Sequence, residues 1–240
     1  MQNQFRVSFI IPNAITLAGT CLALTGIRYA LAGLWEKSII CIIISAIFDG
    51  LDGRAARMLK ATSNFGEILD SLSDFVAFGV APAFILYFWV LNELGGVGWG
   101  ISLFFVVCCS LRLARFNTML DKLPPYADNY FQGIPAPAGA LVALLPMMLS
   151  FNQIIIPNII VPVWVLFIGL LMVSTIPMFS FKKAKIERKY IPLIMLVIGG
   201  IMAGLSGLPW LTLSVVLFSY LMTIAISIPT YNKLKKSFKK

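Results

Sequence analysis

The sequence predicts an all-α, polytopic membrane helix bundle of about eight transmembrane helices with both termini in the cytoplasm. Three observations carry that expectation. The 240 residues are 59% hydrophobic and only 12% charged, with a mean hydropathy of +0.90; a soluble domain of this size needs far more polar surface. Charge-free runs recur at the length of a membrane span, about 20 residues. The 19 lysines and arginines fall unevenly between alternate loops, and that bias sets membrane orientation.

Val7 to Ile27 lacks Asp, Glu, Lys and Arg and forms the first span. Ser38 to Phe48 is too short alone, so the second span runs on into the acidic segment after it. Phe75 to Asn92 and Leu94 to Leu111 supply the third and fourth, with Gly95 and Gly96 in the turn between them. Asn129 to Phe181 holds two spans broken near Asn152–Asn158. Tyr190 to Asn232 holds the last two, over about 190–230, broken near Gly204–Pro209. Ala30-Leu31-Ala32 has the small-residue look of a cleavage site, but the apolar run before it is too long for a signal peptide. Cys21, Cys41, Cys108 and Cys109 lie in expected spans without metal-ligand spacing and read as packing residues. There is no histidine, so acid–base chemistry must use another side chain. No repeat or linker divides the chain, and residues 1–240 are read as one domain.

With the N-terminus inside and the spans alternating, 17 of the 19 basic residues fall on the cytoplasmic side, the exceptions being Arg28 and Lys37. The net charge of +9 is therefore mostly topology. The lysines of "FKKAKIERK" and of the C-terminal "NKLKKSFKK" are anchors to membrane lipids, compatible with attraction to anionic headgroups. No nucleic-acid partner is expected.

Four aspartates, Asp49, Asp52, Asp70 and Asp74, stand within 26 positions beside this apolar sequence. A carboxylate in a membrane helix is costly and marks a functional site. Asp49, Asp52, Gly53, Ala56 and Arg57 share one helical face, as do Gly66, Asp70 and Asp74. The polar turn between them offers Ser63 or Asn64 as the cap of the second helix, which predicts two antiparallel neighbours with opposed acidic faces. Four converging carboxylates repel one another and need a cation. Oxygen ligands select Mg²⁺, Mn²⁺ or Ca²⁺, and four suffice for a pair of ions about 4 Å apart, as in-line displacement at phosphorus uses. Gly53 and Gly66 leave bare backbone for a bulky ligand, and Arg57 can clamp a phosphate. The bland alternative, ion pairs with Arg54, Arg57, Arg112 and Arg115, does not require two glycines in register with the acids.

Asp49-x2-Asp52-Gly53-x2-Ala56-Arg57-x8-Gly66-x3-Asp70-x3-Asp74 resembles the signature of the CDP-alcohol phosphatidyltransferase family at every defined position. The resemblance implies a membrane enzyme that moves a phosphatidyl group from a CDP-linked lipid to an alcohol and releases CMP. It implies metal ligation by Asp49, Asp52 and Asp70, with Asp74 both touching metal and serving as the base. It also implies CDP-lipid contacts from Gly53, Arg57 and Gly66. "PNAIT" in the first span resembles the family too and offers Asn13 and Thr16 as nucleotide contacts; helix capping after Pro12 is the plainer reading of that pair.

"SLRLARFN" (110–117), "FQGIPAPAGA" (131–140) and "MFSFKK" (178–183) resemble the integral-membrane bacterial phosphatidylserine synthases within that family. That branch implies CDP-diacylglycerol as donor, L-serine as acceptor and a bacterial inner membrane; the family implies a homodimer, and the basic-residue bias puts the site on the cytoplasmic side. Arg112 and Arg115, spaced i and i+3, are then candidates for the serine carboxylate or the lipid phosphate; positive-inside anchoring is their plainer reading. Pro135 and Pro137 lack amide donors, so "GIPAPAG" opens either a polar pocket or a simple loop. The same chemistry with glycerol 3-phosphate, inositol or inositol phosphate is the nearest alternative. Intramembrane prenyl transfer and cation transport are more distant, because here the acids cluster on one helix pair at one face.

Overall fold

The structure is a computed structural model that describes residues 9–119, 130–154, 156–179 and 188–237. Ten α-helices follow one another among the described residues: α1 (Ile10–Leu31), α2 (Trp35–Met58), α3 (Asn64–Asp74), α4 (Ala81–Trp89), α5 (Gly96–Met119), α6 (Ala136–Ala143), α7 (Leu145–Ser150), α8 (Ile160–Val173), α9 (Ile191–Gly207) and α10 (Pro209–Ser237). Five helical stretches are long and apolar enough to cross a membrane: Ile10–Leu31, Asn64–Trp89, Gly96–Thr118, Arg188–Gly207 and Pro209–Tyr231. The protein is an integral membrane protein built on these helices. α2 has 24 residues, a comparable length, but the charges of its second half keep it out of that set.

α1 and α2 form the tightest pair, because small residues line their contact. Ser45 Oγ donates to Gly19 O at 2.9 Å and Ser38 Oγ to Gly26 O at 2.7 Å. A Cβ on Gly26 would lie 3.1 Å from Ser38 O. In lipid, where apolar burial drives nothing, such close backbone approach and interhelical hydrogen bonding hold helices together. α3 also packs on α1.

The breaks fall where the sequence placed them, and each has a local cause. Gly95 takes φ +57° between α4 and α5. Ser63 is the N-cap of α3, its hydroxyl accepting from Gly66 N at 3.1 Å. α7 and α8 are separated around Asn152–Asn158, and α9 and α10 at Leu208. Pro146 has no amide to donate to Val142 O, which divides α6 from α7; the indole Nε1 of Trp164 donates to that carbonyl at 2.8 Å.

Two features depart from a plain helix bundle. Phe75–Val80, directly after Asp74, is π-helical within the continuous rod Asn64–Trp89. Here Pro82 interrupts the ladder, and Gly79 brings the backbone so close to α5 that a Cβ would lie 3.1 Å from Cys109 Sγ. The second is a short antiparallel ribbon, β1 (Tyr130–Gln132) with β2 (Pro177–Phe179), in register Tyr130↔Phe179. Pro177, which opens β2, keeps Ile176 out of the helical region, and Pro137 sits at the start of α6, where its missing amide costs no helical bond.

The cysteines carry no disulfide among the described residues: Cys41, Cys108 and Cys109 are buried and Cys21 is exposed. The lysines expected to gather at 182, 183 and 185 lie outside the described residues.

Candidate active site

The acids are carried by two helices that α1 holds together. α2 presents Asp49 and Asp52 one turn apart, and α3 presents Asp70 and Asp74 one turn apart. Each helix packs more extensively on α1 than on the other, so the expected antiparallel pair is bridged by a third helix. α1 supplies the fastening. Thr16 Oγ1 donates to Asp52 Oδ2 at 2.6 Å. Ser73 Oγ donates to Thr16 O at 3.2 Å and lies 2.5 Å from Thr20 Oγ1.

Asp49, Asp70 and Asp74 converge, each offering a carboxylate oxygen within 4.8 Å of the others, and all three are half-buried. Asp52 stands outside this trio, 4% exposed and bonded to Thr16. The structure thus brings three of the four expected ligands together and sets the fourth one turn away. Three hard oxygen donors converging at half-buried depth fit a divalent cation such as Mg²⁺, Mn²⁺ or Ca²⁺, which would offset their mutual repulsion.

A cavity of about 210 Å³ adjoins the trio at Asp70, and its acidic lining residues are Asp52, Glu67 and Asp70. Asn13, Thr16, Gly53, Arg57 and Gly66 also line it, so every residue expected at the CDP-lipid site borders one space. Its wall is close-set around Gly66 and open around Gly53. A Cβ on Gly66 would lie 3.2 Å from Asn13 Oδ1, while on Gly53 the nearest atom would be Arg57 Nη1 at 3.9 Å. Glu67 lies on the same rim; it is a fifth acid in the segment and stands at no fixed signature position.

The two arginines of α5 have distinct surroundings. Arg115 donates from Nη1 to Ser174 O at 3.2 Å and from Nη2 to Val173 O at 2.5 Å, so it caps the carbonyl end of α8. Arg112 donates from Nε to Ile134 O at 2.6 Å and lies within electrostatic range of Asp49 and Asp74. The carbonyl it binds belongs to the proline-rich turn. Gly133 there takes φ +74°, and a Cβ would fall 2.7–2.9 Å from the carbonyl oxygens of Leu171, Met172 and Ser174.

Sequence reasoning missed Thr20 and Ser73, which fasten α3 to α1. The available signal was their polarity inside spans. Asn117, whose Nδ2 donates to Ser71 Oγ at 2.9 Å across α5 and α3, was overlooked for the same reason.

A family model described as CDP-alcohol phosphatidyltransferase matches residues 9–175. Over 224 residues the chain is 38% identical to a CDP-diacylglycerol–serine O-phosphatidyltransferase of Mycobacterium leprae, covering 91% of this chain and 74% of the relative. A protein of that name from Helicobacter pylori strain 26695 is 37% identical over 191 residues, 78% of this chain and 79% of the relative. One from Methanocaldococcus jannaschii is 39% identical over 168 residues, 70% and 76% of the two chains. The family match runs from the helix that fastens both acidic helices, through the aspartate trio, to the end of α8, and the chain belongs to the CDP-alcohol phosphatidyltransferase family.

Proposed function

We propose that this enzyme transfers the phosphatidyl group of CDP-diacylglycerol to L-serine, giving phosphatidylserine and CMP. The observation that carries this reading is the Asp49–Asp70–Asp74 trio, which shares Asp70 with a cavity lined by Gly53, Arg57 and Gly66, in a chain whose relatives are named for this reaction.

The acyl chains of the donor stay in lipid while its CDP moiety enters the cavity. Bare backbone at Gly53 and Gly66 lets the nucleotide approach, with Asn13 and Thr16 lining the same cavity. Arg57 binds phosphate oxygens through its planar guanidinium. Asp49, Asp52, Asp70 and Asp74 are the residues that would hold a pair of divalent cations, Mg²⁺ or Mn²⁺ with Ca²⁺ a further fit, and such ions would supply charge stabilisation to the diphosphate and its leaving group. Asp74 accepts the proton of the serine hydroxyl. The serine oxygen bonds to the phosphorus that carries diacylglycerol, and the bond from that phosphorus to the bridging oxygen breaks, its electron pair leaving with CMP. Arg112, beside Asp49 and Asp74, is better placed than Arg115 to meet the serine carboxylate, because two Arg115 nitrogens already cap α8.

The whole chain acts as one domain. Eight spans follow if α2, the α6–α7 pair and α8 cross the membrane with the five longer helical stretches. The basic-residue bias then puts both termini and the site on the cytoplasmic side of a bacterial inner membrane. A homodimer is the assembly that the family resemblance implies.

CMP release by purified protein in detergent, with CDP-diacylglycerol, Mg²⁺ or Mn²⁺ and one alcohol at a time, tests this. Serine-dependent release with formation of phosphatidylserine, abolished by EDTA, is the expected result. Release with glycerol 3-phosphate or inositol alone would overturn the acceptor and keep the family chemistry. No release with any alcohol, from folded protein, would sink the reading.

A further inference from the structure

α3 carries Asp70 and Asp74, yet apolar packing does little to place it. Its large apolar side chains Phe65, Ile68 and Leu72 are all exposed. Apolar burial in the rod begins only at Ala77, past both acids. Ser73 is the one buried residue of α3, and it directly precedes Asp74. Ser71 on the same helix turns its hydroxyl back to Glu67 O, four residues earlier, at 3.0 Å, the common recourse of a serine inside a helix. Ser73 instead reaches across to α1, where its Oγ lies 3.2 Å from Thr16 O and 2.5 Å from Thr20 Oγ1. Thr20 Oγ1 is itself 3.2 Å from Thr16 O. Each hydroxyl has one proton to give, so whichever donates to the other, the chain of two ends on the Thr16 carbonyl.

The other acidic helix is tied to the same stretch of α1. Thr16 Oγ1 donates to Asp52 Oδ2 at 2.6 Å, and three residues on Gly19 O accepts from Ser45 Oγ at 2.9 Å. α2 is thus indexed along α1 by Ser45 and Asp52, and α3 by Ser73. In lipid, interhelical hydrogen bonds and close backbone packing hold helices in register. Carboxylates on different helices share a cation only if each is held to within about 0.5 Å, so the register of α3 on α1 bears directly on the trio.

We propose that Ser73 and Thr20 are positioning residues for the divalent cation: their hydroxyl pair fixes α3 on α1 at the register where Asp70 and Asp74 meet Asp49. The assignment rests on the reading of the trio as a cation site. It gives two residues outside the fixed signature positions a part in holding that site.

The test is Mn²⁺ binding to the purified full chain, read as loss of the free-ion electron paramagnetic resonance signal. Wild type, Ser73→Ala, Thr20→Val and Thr20→Ser are compared, with the unfolding midpoint of each measured in EDTA. Ser73→Ala and Thr20→Val should each weaken Mn²⁺ binding about tenfold, the worth of one hydrogen bond. The double variant should fall no further than either alone, because the two hydroxyls act as one chain. Thr20→Ser keeps the hydroxyl and should bind within about twofold of wild type. Wild-type affinity in both Ser73→Ala and Thr20→Val, whether or not the midpoint falls, overturns the positioning assignment alone and leaves a purely structural tie. So does Thr20→Ser binding as weakly as Thr20→Val, which takes the effect away from the hydroxyl. Mn²⁺ binding that survives both Asp70→Asn and Asp74→Asn overturns the cation site itself, and this assignment with it.

Discussion

Thr16→Val removes one hydroxyl and keeps the shape of the side chain, which isolates the fastening of Asp52. Thr16 Oγ1 lies 3.1 Å from Pro12 O and 2.6 Å from Asp52 Oδ2. One proton serves one acceptor, and the shorter contact to the charged oxygen takes it. Asp52 is 4% exposed, so water has little access to replace the lost donor. A hydrogen bond to a charged group contributes about 1.5–3 kcal/mol. If Asp52 must hold its orientation for the metal and the diphosphate, that loss appears as roughly a 10- to 150-fold fall in kcat/KM for CDP-diacylglycerol. The assay is CMP release at several Mg²⁺ concentrations, with the unfolding midpoint followed in parallel. Thr16→Ser, which restores the hydroxyl, should recover most of the activity. A Val variant within twofold of wild type, alongside an inactive Asp52→Asn, would refute the claim that this bond orients the acid.

Three further outcomes are expected. Asp74→Asn keeps the size of the side chain and cannot accept the serine proton, so turnover should be lost while CDP-lipid binding persists in an equilibrium binding assay; normal turnover would remove Asp74 as the base. Gly66→Ala puts a methyl 3.2 Å from Asn13 Oδ1 and 3.3 Å from Ser63 Oγ; it should raise KM for CDP-diacylglycerol severalfold and leave KM for serine alone, and equal effects on both would contradict the assignment of that cavity wall. Arg115→Leu removes two bonds to the carbonyl end of α8 and should cost about 1–3 kcal/mol of stability, read as a lower unfolding midpoint with serine KM unchanged in the folded protein. A selective rise in serine KM would return Arg115 to the acceptor site.

Much of the architecture was legible because lipid is an unforgiving solvent. Backbone groups must be satisfied within each helix, so apolar runs such as Phe75–Asn92 and Leu94–Leu111 had few alternatives to helix. Gly95 and Ser63 marked turns and caps for local steric and hydrogen-bonding reasons. The aspartate spacing placed its residues on helical faces by period alone, and those faces do meet. The ribbon was not legible, because pairing Tyr130–Gln132 with Pro177–Phe179 depends on segments 45 or more residues apart. Nor was the π-helical stretch after Asp74: Pro82 marks a local interruption, but the close approach of Gly79 to Cys109 is a tertiary contact.

The sequence by itself determined that the protein lives in a membrane, that its acids lie on two helical faces, and that these face a metal-bound diphosphate if the family resemblance holds. Those properties follow from period, charge and solvent, and each is written within a single helix. Only the tertiary structure decided that Asp49, Asp70 and Asp74 form the close trio while Asp52 leans on Thr16. It alone gave Arg112 and Arg115 different bonding partners and brought α10 against β2. The reason is physical: an i, i+4 pattern tells which face a side chain occupies, but which distant group meets that face is set by how the helices pack.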